Sequence, residues 1–177
     1  MKLPLASTLC ALLLLPPAAR ATDADVDITG VARKFANKGT RQQSEIIDKS
    51  QDWGYTVTVE NKTFGPLSGL EVKYVIFCKR EEIGKKGPGH TEHTSGSYTI
   101  NSIPPNDKVT FDTKSINLTM SAVADFYYYP DGGKIKAQDA LTGLWVRIYK
   151  NGTLFAEFAK PSGISSKENW DDLAQGN

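Results

Sequence analysis

The sequence predicts an all-β protein: a single antiparallel β-sandwich of seven to nine strands, ending in a short helix. Three observations carry this. The dominant period of apolar residues is two, as in "WGYTVTVEN" and "GLEVKYVIFCKRE", the pattern of half-buried strands rich in β-branched and aromatic residues. Asn151-Gly152 stands between two apolar runs, a strong short-range hairpin signal because a type I′ turn needs positive φ at both central residues. The one helical signal closes the chain, in "SSKENWDDLAQ", where Ser165 and Glu168 have capping-box spacing and Trp170 and Leu173 stand three apart.

Residues 1–21 read as an export signal. Lys2 gives a short positive start, Leu9 to Leu15 an apolar run, and Ala19 and Ala21 the small residues of a cleavage site. The run is shorter than the ~20 residues of a transmembrane helix. Cys10 lies inside that run behind bulky Leu9, which disfavours a lipid-attachment reading. The expected domains are therefore a signal peptide at 1–21, a sandwich at 22–164 and a short helix or tail at 165–177.

Removing 21 residues from 177 leaves 156, enough for one domain with one core. Loss of Lys2 and Arg20 reduces 21 basic residues to 19, against 20 acidic ones. This near-neutral balance argues against nucleic-acid binding, which calls for a basic surface. No later run is apolar enough for an integral membrane segment. Cys78 remains as a single cysteine, so the domain relies on core burial rather than an internal disulfide.

Along the chain, "DVDITGVARKF" is expected as an opening strand, and "TRQQSEIIDKS" as a second, less regular one. Trp53, Tyr55, Val57 and Val59 then share one face. After the turn residues "GPLSG", Leu70, Val72, Tyr74, Ile76 and Cys78 share another. Val75 and Phe77 make the opposite face apolar as well, so something is expected to cover it. Further strands are expected at Ser97 to Ile100, "DKVTFDTKS", "SINLTMS" and "DFYYYPDGG". With Asn151-Gly152 as a two-residue loop, Ile148 should oppose Phe155 and Trp145 should oppose Phe158. Trp145, Arg147, Tyr149, Leu154, Ala156 and Phe158 would then share a face.

The run "YTVTVENKTFGPLSGLEVKYVIF", through Tyr55, Val57, Val59, Asn61, Leu70, Val72 and Tyr74, resembles the second-to-third strand portion of bacterial extracellular immunoglobulin-like or fibronectin-III-like sandwiches, including the cell-adhesion-related type. "GLWVRIYKNGTLFAEFAKPS" is similar to the last hairpin of exported envelope proteins. The chain departs from true immunoglobulin domains in lacking the cysteine pair. The resemblance implies an immunoglobulin-like fold and a role in binding or spacing, and it carries no catalytic residue.

Candidate chemistry is sparse. His90 and His93 flank Glu92 in "GKKGPGHTEHTSG". Zinc-binding histidine pairs on a helix stand four apart. Here the spacing is three, the stretch is rich in Gly and Pro, and on a strand the two would face opposite ways. Only a loop over residues 84 to 96 could bring His90, Glu92 and His93 together as a metal site. Asp23, Asp25 and Asp27 have calcium-loop spacing, but Ile28 and Lys34 occupy the positions that need Gly and Glu. No G-x-S-x-G elbow is present, and no cofactor is implied.

The aromatic residues are the better clue. Tyr127, Tyr128 and Tyr129 alternate across an expected strand, and Trp145 and Tyr149 share a face with Arg147. Exposed, they could stack on a glycan or anchor a protein partner; buried, they fill the core. The sequence thus predicts a secreted or periplasmic, non-enzymatic binding or scaffolding module with a protein or glycan partner outside the cytoplasm. A metal-binding protein built on His90 and His93 is the second alternative. A sheet edge left uncovered would add self-assembly.

Overall fold

The computed structural model describes residues 25–43, 45–85, 87–123 and 135–174. Nine strands run in the order β1 (Val26–Gln43), β2 (Ile46–Asn61), β3 (Leu67–Arg80), β4 (His90–Ile103), β5 (Lys108–Asp112), β6 (Ile116–Val123), β7 (Lys136–Gln138), β8 (Ala140–Lys150) and β9 (Thr153–Lys160). Two short helices follow, α1 (Ile164–Lys167) and α2 (Trp170–Ala174). All pairings are antiparallel. One sheet has the order β1-β2-β6-β7, with β5 also on β2; the other has the order β4-β3-β8-β9. The protein is an all-β sandwich, as the period of two predicts. The Tyr127–Tyr129 strand lies outside the described residues.

The core follows from alternation. Tyr55, Val57, Val59 and Asn61 of β2 point inward, facing Val72, Tyr74, Ile76 and Cys78 of β3 and Leu144, Val146 and Ile148 of β8. Burial also pushes the Cys78 thiol pKa up, so Cys78 acts as a small hydrophobe. Fully burying an aliphatic side chain of this size contributes about 1.5–3 kcal/mol, so this one layer dominates stability.

The other face of the β3-β8 sheet is also apolar, and it is covered. Val75, Phe77 and Trp145 pack under Trp170 and Leu173 of α2. The rings of Trp145 and Trp170 meet edge to face at 5.0 Å. The helical end differs in detail from the sequence reading. It forms two short helices, and Ser165 donates to the Ser162 carbonyl rather than closing a capping box. Asn169 caps α2, its Oδ1 accepting from the Asp171 N–H at 3.2 Å.

The Asn151-Gly152 turn forms with φ of 53° and 75°, the mirror-image turn that matches strand twist. Lys150 opposes Thr153, but a register shift next to Ile148 and Tyr149 alters the rest. Ile148 opposes Ala156, not Phe155, and Trp145 opposes Ala159, not Phe158. Ala156 and Phe158 therefore join the core, away from Trp145.

Asn61 fixes one end of the sandwich. It is fully buried. Its Nδ2 donates to the carbonyls of Gly65, Ile103 and Pro104 at 2.8, 3.1 and 3.0 Å. Its Oδ1 accepts from Thr63 N–H and Oγ1 at 2.9 and 2.7 Å. One side chain thus joins the β2–β3 and β4–β5 connections, and every polar atom of the amide is used. The Asn61 amide is therefore structural.

Arg80 fixes the other end. Its Nη1 donates to Asp139 Oδ2 and to the Asn117 carbonyl, at 2.8 and 2.6 Å, and its Nε to Glu92 Oε2 at 2.8 Å. Asp139 also accepts from the N–H groups of Thr119 and Glu81. A guanidinium rooted in β3 thereby ties β4, β6 and the β7–β8 junction together, which suits its planar fork of donors.

Three outcomes follow. Asn61→Ala removes the donor to the Gly65, Ile103 and Pro104 carbonyls and the acceptor of the Thr63 N–H, and should cost about 3 kcal/mol. That is a fall in Tm of about 6–12 °C by differential scanning calorimetry. A fall below 2 °C would show that water replaces the amide. Trp170→Ala should release α1 and α2, seen as lost hydrogen-exchange protection over residues 164–174 and increased dye binding while the sheets stay protected; unchanged exchange there refutes the docking account. Hydrogen bonding from Arg80, then from His90, holds the Glu92 carboxyl below the usual carboxylate range. Its stabilisation is present above the unfolded value of about 4.3 and is lost as pH falls through the folded value. The Tm gap between the native chain and Glu92→Gln should shrink toward zero as the pH falls through the lowered folded value. A gap that persists there would assign it to packing.

Candidate functional site

The two sheets differ in reach. Strand β2 is 16 residues long. Its second half, from Tyr55, is paired with β5 and sealed against the other sheet. Its first half, Ile46 to Trp53, pairs with β1 on one side and β6 on the other, and none of these eight residues is buried. At about 3.3 Å per residue, this half spans some 25 Å, and the described residues cover it only in part. Gly54 marks the boundary: a Cβ there would overlap the Phe35 ring and crowd Thr113 and the Lys114 carbonyl.

Alternation assigns the side chains of this extension. Ile47, Lys49, Gln51 and Trp53 continue the inner face of Tyr55. Their neighbours across β6 are Ala122, Met120, Leu118 and Ile116, and those across β1 include Thr40, Asn37 and Lys34. A groove of about 280 Å³ opens on this face, lined by Ala32, Lys49, Gln51, Trp53, Leu118 and Met120, with Asp139 and Leu141 among the residues at its sheet-to-sheet wall. Met120 is 40% exposed. The Trp53 indole donates to Gln51 Oε1 at 3.0 Å, which orients the ring along the floor.

Charge is divided between the two faces. On the outer face Asp52 binds Lys38 at 3.1 Å and accepts from Asn117 at 3.1 Å, and these two bonds hold its pKa down, Asn117 first. Asp48 accepts from Ser121 at 2.6 Å. The inner face carries Lys34, Lys49 and, opposite Ala122 on β7, Lys136. Asp139 is the carboxylate at the groove, and both its oxygens are taken by Arg80 and the two backbone N–H groups.

The residues singled out from the sequence lie elsewhere. Trp145 is 1% exposed, because α2 lies over it, so it offers no open ring to a ligand. The Arg147 guanidinium packs 4.9 Å from Trp145 and 4.7 Å from Trp170, and it shares Glu157 Oε1 with the Trp145 indole. Tyr149 is half-buried on the same face, with Lys73 5.4 Å from its ring centre. Tyr127 and Tyr129 lie outside the described residues.

His90 and His93 are not on a loop. Strand β4 begins at His90, and the pair straddles it. His90 opposes Arg80 and lies 3.2 Å from Glu92, while His93 opposes Phe77 on the other face. Glu92 is engaged by Arg80. Among the described residues no three His, Cys, Asp or Glu side chains form a group placed to hold a metal ion. No helix among them is long and apolar enough to cross a membrane.

The chain matches no family model and no curated protein. Solved structures similar to it include an X-ray structure of a structural-genomics target (14% identity over 77% of this chain and 86% of the other, TM-score 0.36). A candidate ApaA protein from Bordetella pertussis shows 11% identity over 76% and 91% (TM-score 0.36). A protein from Akkermansia muciniphila shows 14% identity over 84% and 76% (TM-score 0.34).

Proposed function

We propose that the protein is an exported, non-catalytic binding module that engages a protein partner through the open groove on the β1-β2-β6 extension. The observation that carries the reading is the groove on that face, where Met120 is exposed and the Trp53 indole is half-buried beside buried Leu118. Concave sites lined by apolar side chains with a few polar groups are common binding sites, and partly desolvated aromatic and Met side chains are typical interface anchors. The fold is read as immunoglobulin-like or fibronectin-III-like, and the location as the cell envelope or the extracellular space, on the resemblance of residues 55 to 77 and the export signal at residues 1–21.

A protein partner is favoured over a glycan because, among the described residues, the groove offers a single indole fixed by Gln51, whereas sugar platforms pair coplanar rings. The metal-binding reading has the weaker support, since His90 and His93 diverge.

Two measurements test this. N-terminal sequencing of the chain recovered from outside the cytoplasm should begin at Thr22; recovery in the cytoplasm with Met1 intact refutes export. A photo-crosslinking residue placed at Met120 in the native host should give one protease-sensitive adduct. The same residue at Phe64, which is 97% exposed and outside the groove, should give none. Equal labelling at both positions, or none at Met120, refutes the groove as the binding surface.

A further inference from the structure

We infer that the protein pairs with a second copy of itself along β4, antiparallel about a two-fold axis at Ser97, so that two β4-β3-β8-β9 sheets join into one. This goes beyond the groove, to whose lining β4 contributes no residue.

The edges of the two sheets differ in how they are guarded. A free edge invites a further strand unless it is short, bulged or charged. Strand β1 has two register shifts and carries Arg33, Lys34, Lys38 and Arg41. Strands β5 and β7 have five and three residues. The β8–β9 pairing has a register shift, and Pro161 follows β9 directly. Strand β4 is fourteen residues long, and its pairing with β3 keeps one register from His90 to Ile103. From Thr94 to Ile103 it has neither a charged residue nor a proline. Among the described residues no strand pairs with its other side, toward which every second residue of an antiparallel strand turns its N–H and C=O.

A knob and a hollow name a second copy as the occupant. Tyr98 is 39% exposed, with one face of its ring stacked on Phe111 at 4.2 Å. Two residues away a hollow of about 400 Å³ opens at the edge, with Tyr74, Gly96, Ser97, Lys114 and Trp170 among its walls. Gly96 makes this hollow, because a Cβ there would overlap the Tyr74 ring, whose hydroxyl accepts from the Lys114 N–H at 2.8 Å. With Ser97 on the axis, Tyr98 of each copy stands directly opposite Gly96 of the other, at about 4.5–5.5 Å between Cα atoms. Each hollow then receives a tyrosine, and the contact is made twice, as an isologous interface requires.

The same register meets the other demands of a dimer. Glu92 faces Ser102 and His93 faces Asn101, so no like charges are opposed. The overlap from Thr91 to Ile103 closes about a dozen main-chain hydrogen bonds, as many as a whole protein–protein interface typically carries.

Sedimentation equilibrium of the full mature chain from about 2 to 200 µM tests this, and should give twice the chain mass at the upper end. Ser97 is exposed. Ser97→Lys and Ser97→Glu each set like charges together on the axis and should weaken the dimer at least tenfold. Mixing the two variants should restore a dimer, which misfolded chains would not do. Thr29→Lys, on the β1 edge, should change nothing. Spin labels at Thr91 on the two copies should lie about 40 Å apart, the span from Thr91 to Ile103 at 3.3 Å per residue.

A monomer mass throughout, which would leave β4 to a strand of another protein, overturns the inference. So does a dimer indifferent to both Ser97 variants, a mixture that stays monomeric, or a Thr91 separation far from 40 Å.

Discussion

Strand β2 runs straight through two environments, and this continuity sets the rest of the molecule. Period-two geometry does not change along an unbroken strand. The face that carries Tyr55, Val57 and Val59 into the core must therefore carry Trp53, Gln51 and Lys49 beyond it. The core half cannot slip, because Asn61 is locked to both connections at its end. A one-residue slip would turn every core side chain outward. The register that buries the valines is the same register that displays the groove.

A strand extended beyond its partner sheet needs support, and the structure supplies it at three points. Strand β6 pairs with β2 along the whole uncovered half. The Arg80 guanidinium, anchored in the opposite sheet, holds β6 through the Asn117 carbonyl and Asp139. Strand β1, the outer edge, has two register shifts and carries Arg33, Lys34, Lys38 and Arg41, features that discourage further edge pairing. The groove floor is thus a braced, three-stranded surface rather than a loop, and a preformed surface loses less entropy on binding.

The sequence made the sandwich legible because burial and period coincide in β2, β3 and β8. Val75 and Phe77 even announced a second covered face, and α2 covers it. The histidines were misplaced for a local reason. Gly and Pro in residues 84 to 89 suggested a loop through residue 96, yet the Thr and Ser residues after His90 pair with the full length of β3. The Trp145 face was misread because the extra residue near Phe155 shifts the register of β9, and turn type alone does not show such a shift. The groove escaped notice because its residues come from three strands distant in sequence. A signal was present in "IIDKSQDW", where acids fall on one parity and Lys49, Gln51 and Trp53 on the other. Its meaning needed the knowledge that the opposing sheet stops short.

The two tryptophan-bearing faces then explain each other. Around Trp145, the guanidinium of Arg147 lies against both indoles and is bound by Glu157. That face is electrically and sterically complete, since the chain supplies its own cover in α2. Around Trp53, the described residues leave a groove instead, lined by Lys49, Gln51 and Met120, with Asp139 at its wall. The run of β2 beyond Tyr55 is thus what separates the face covered by α2 from the one that forms the groove.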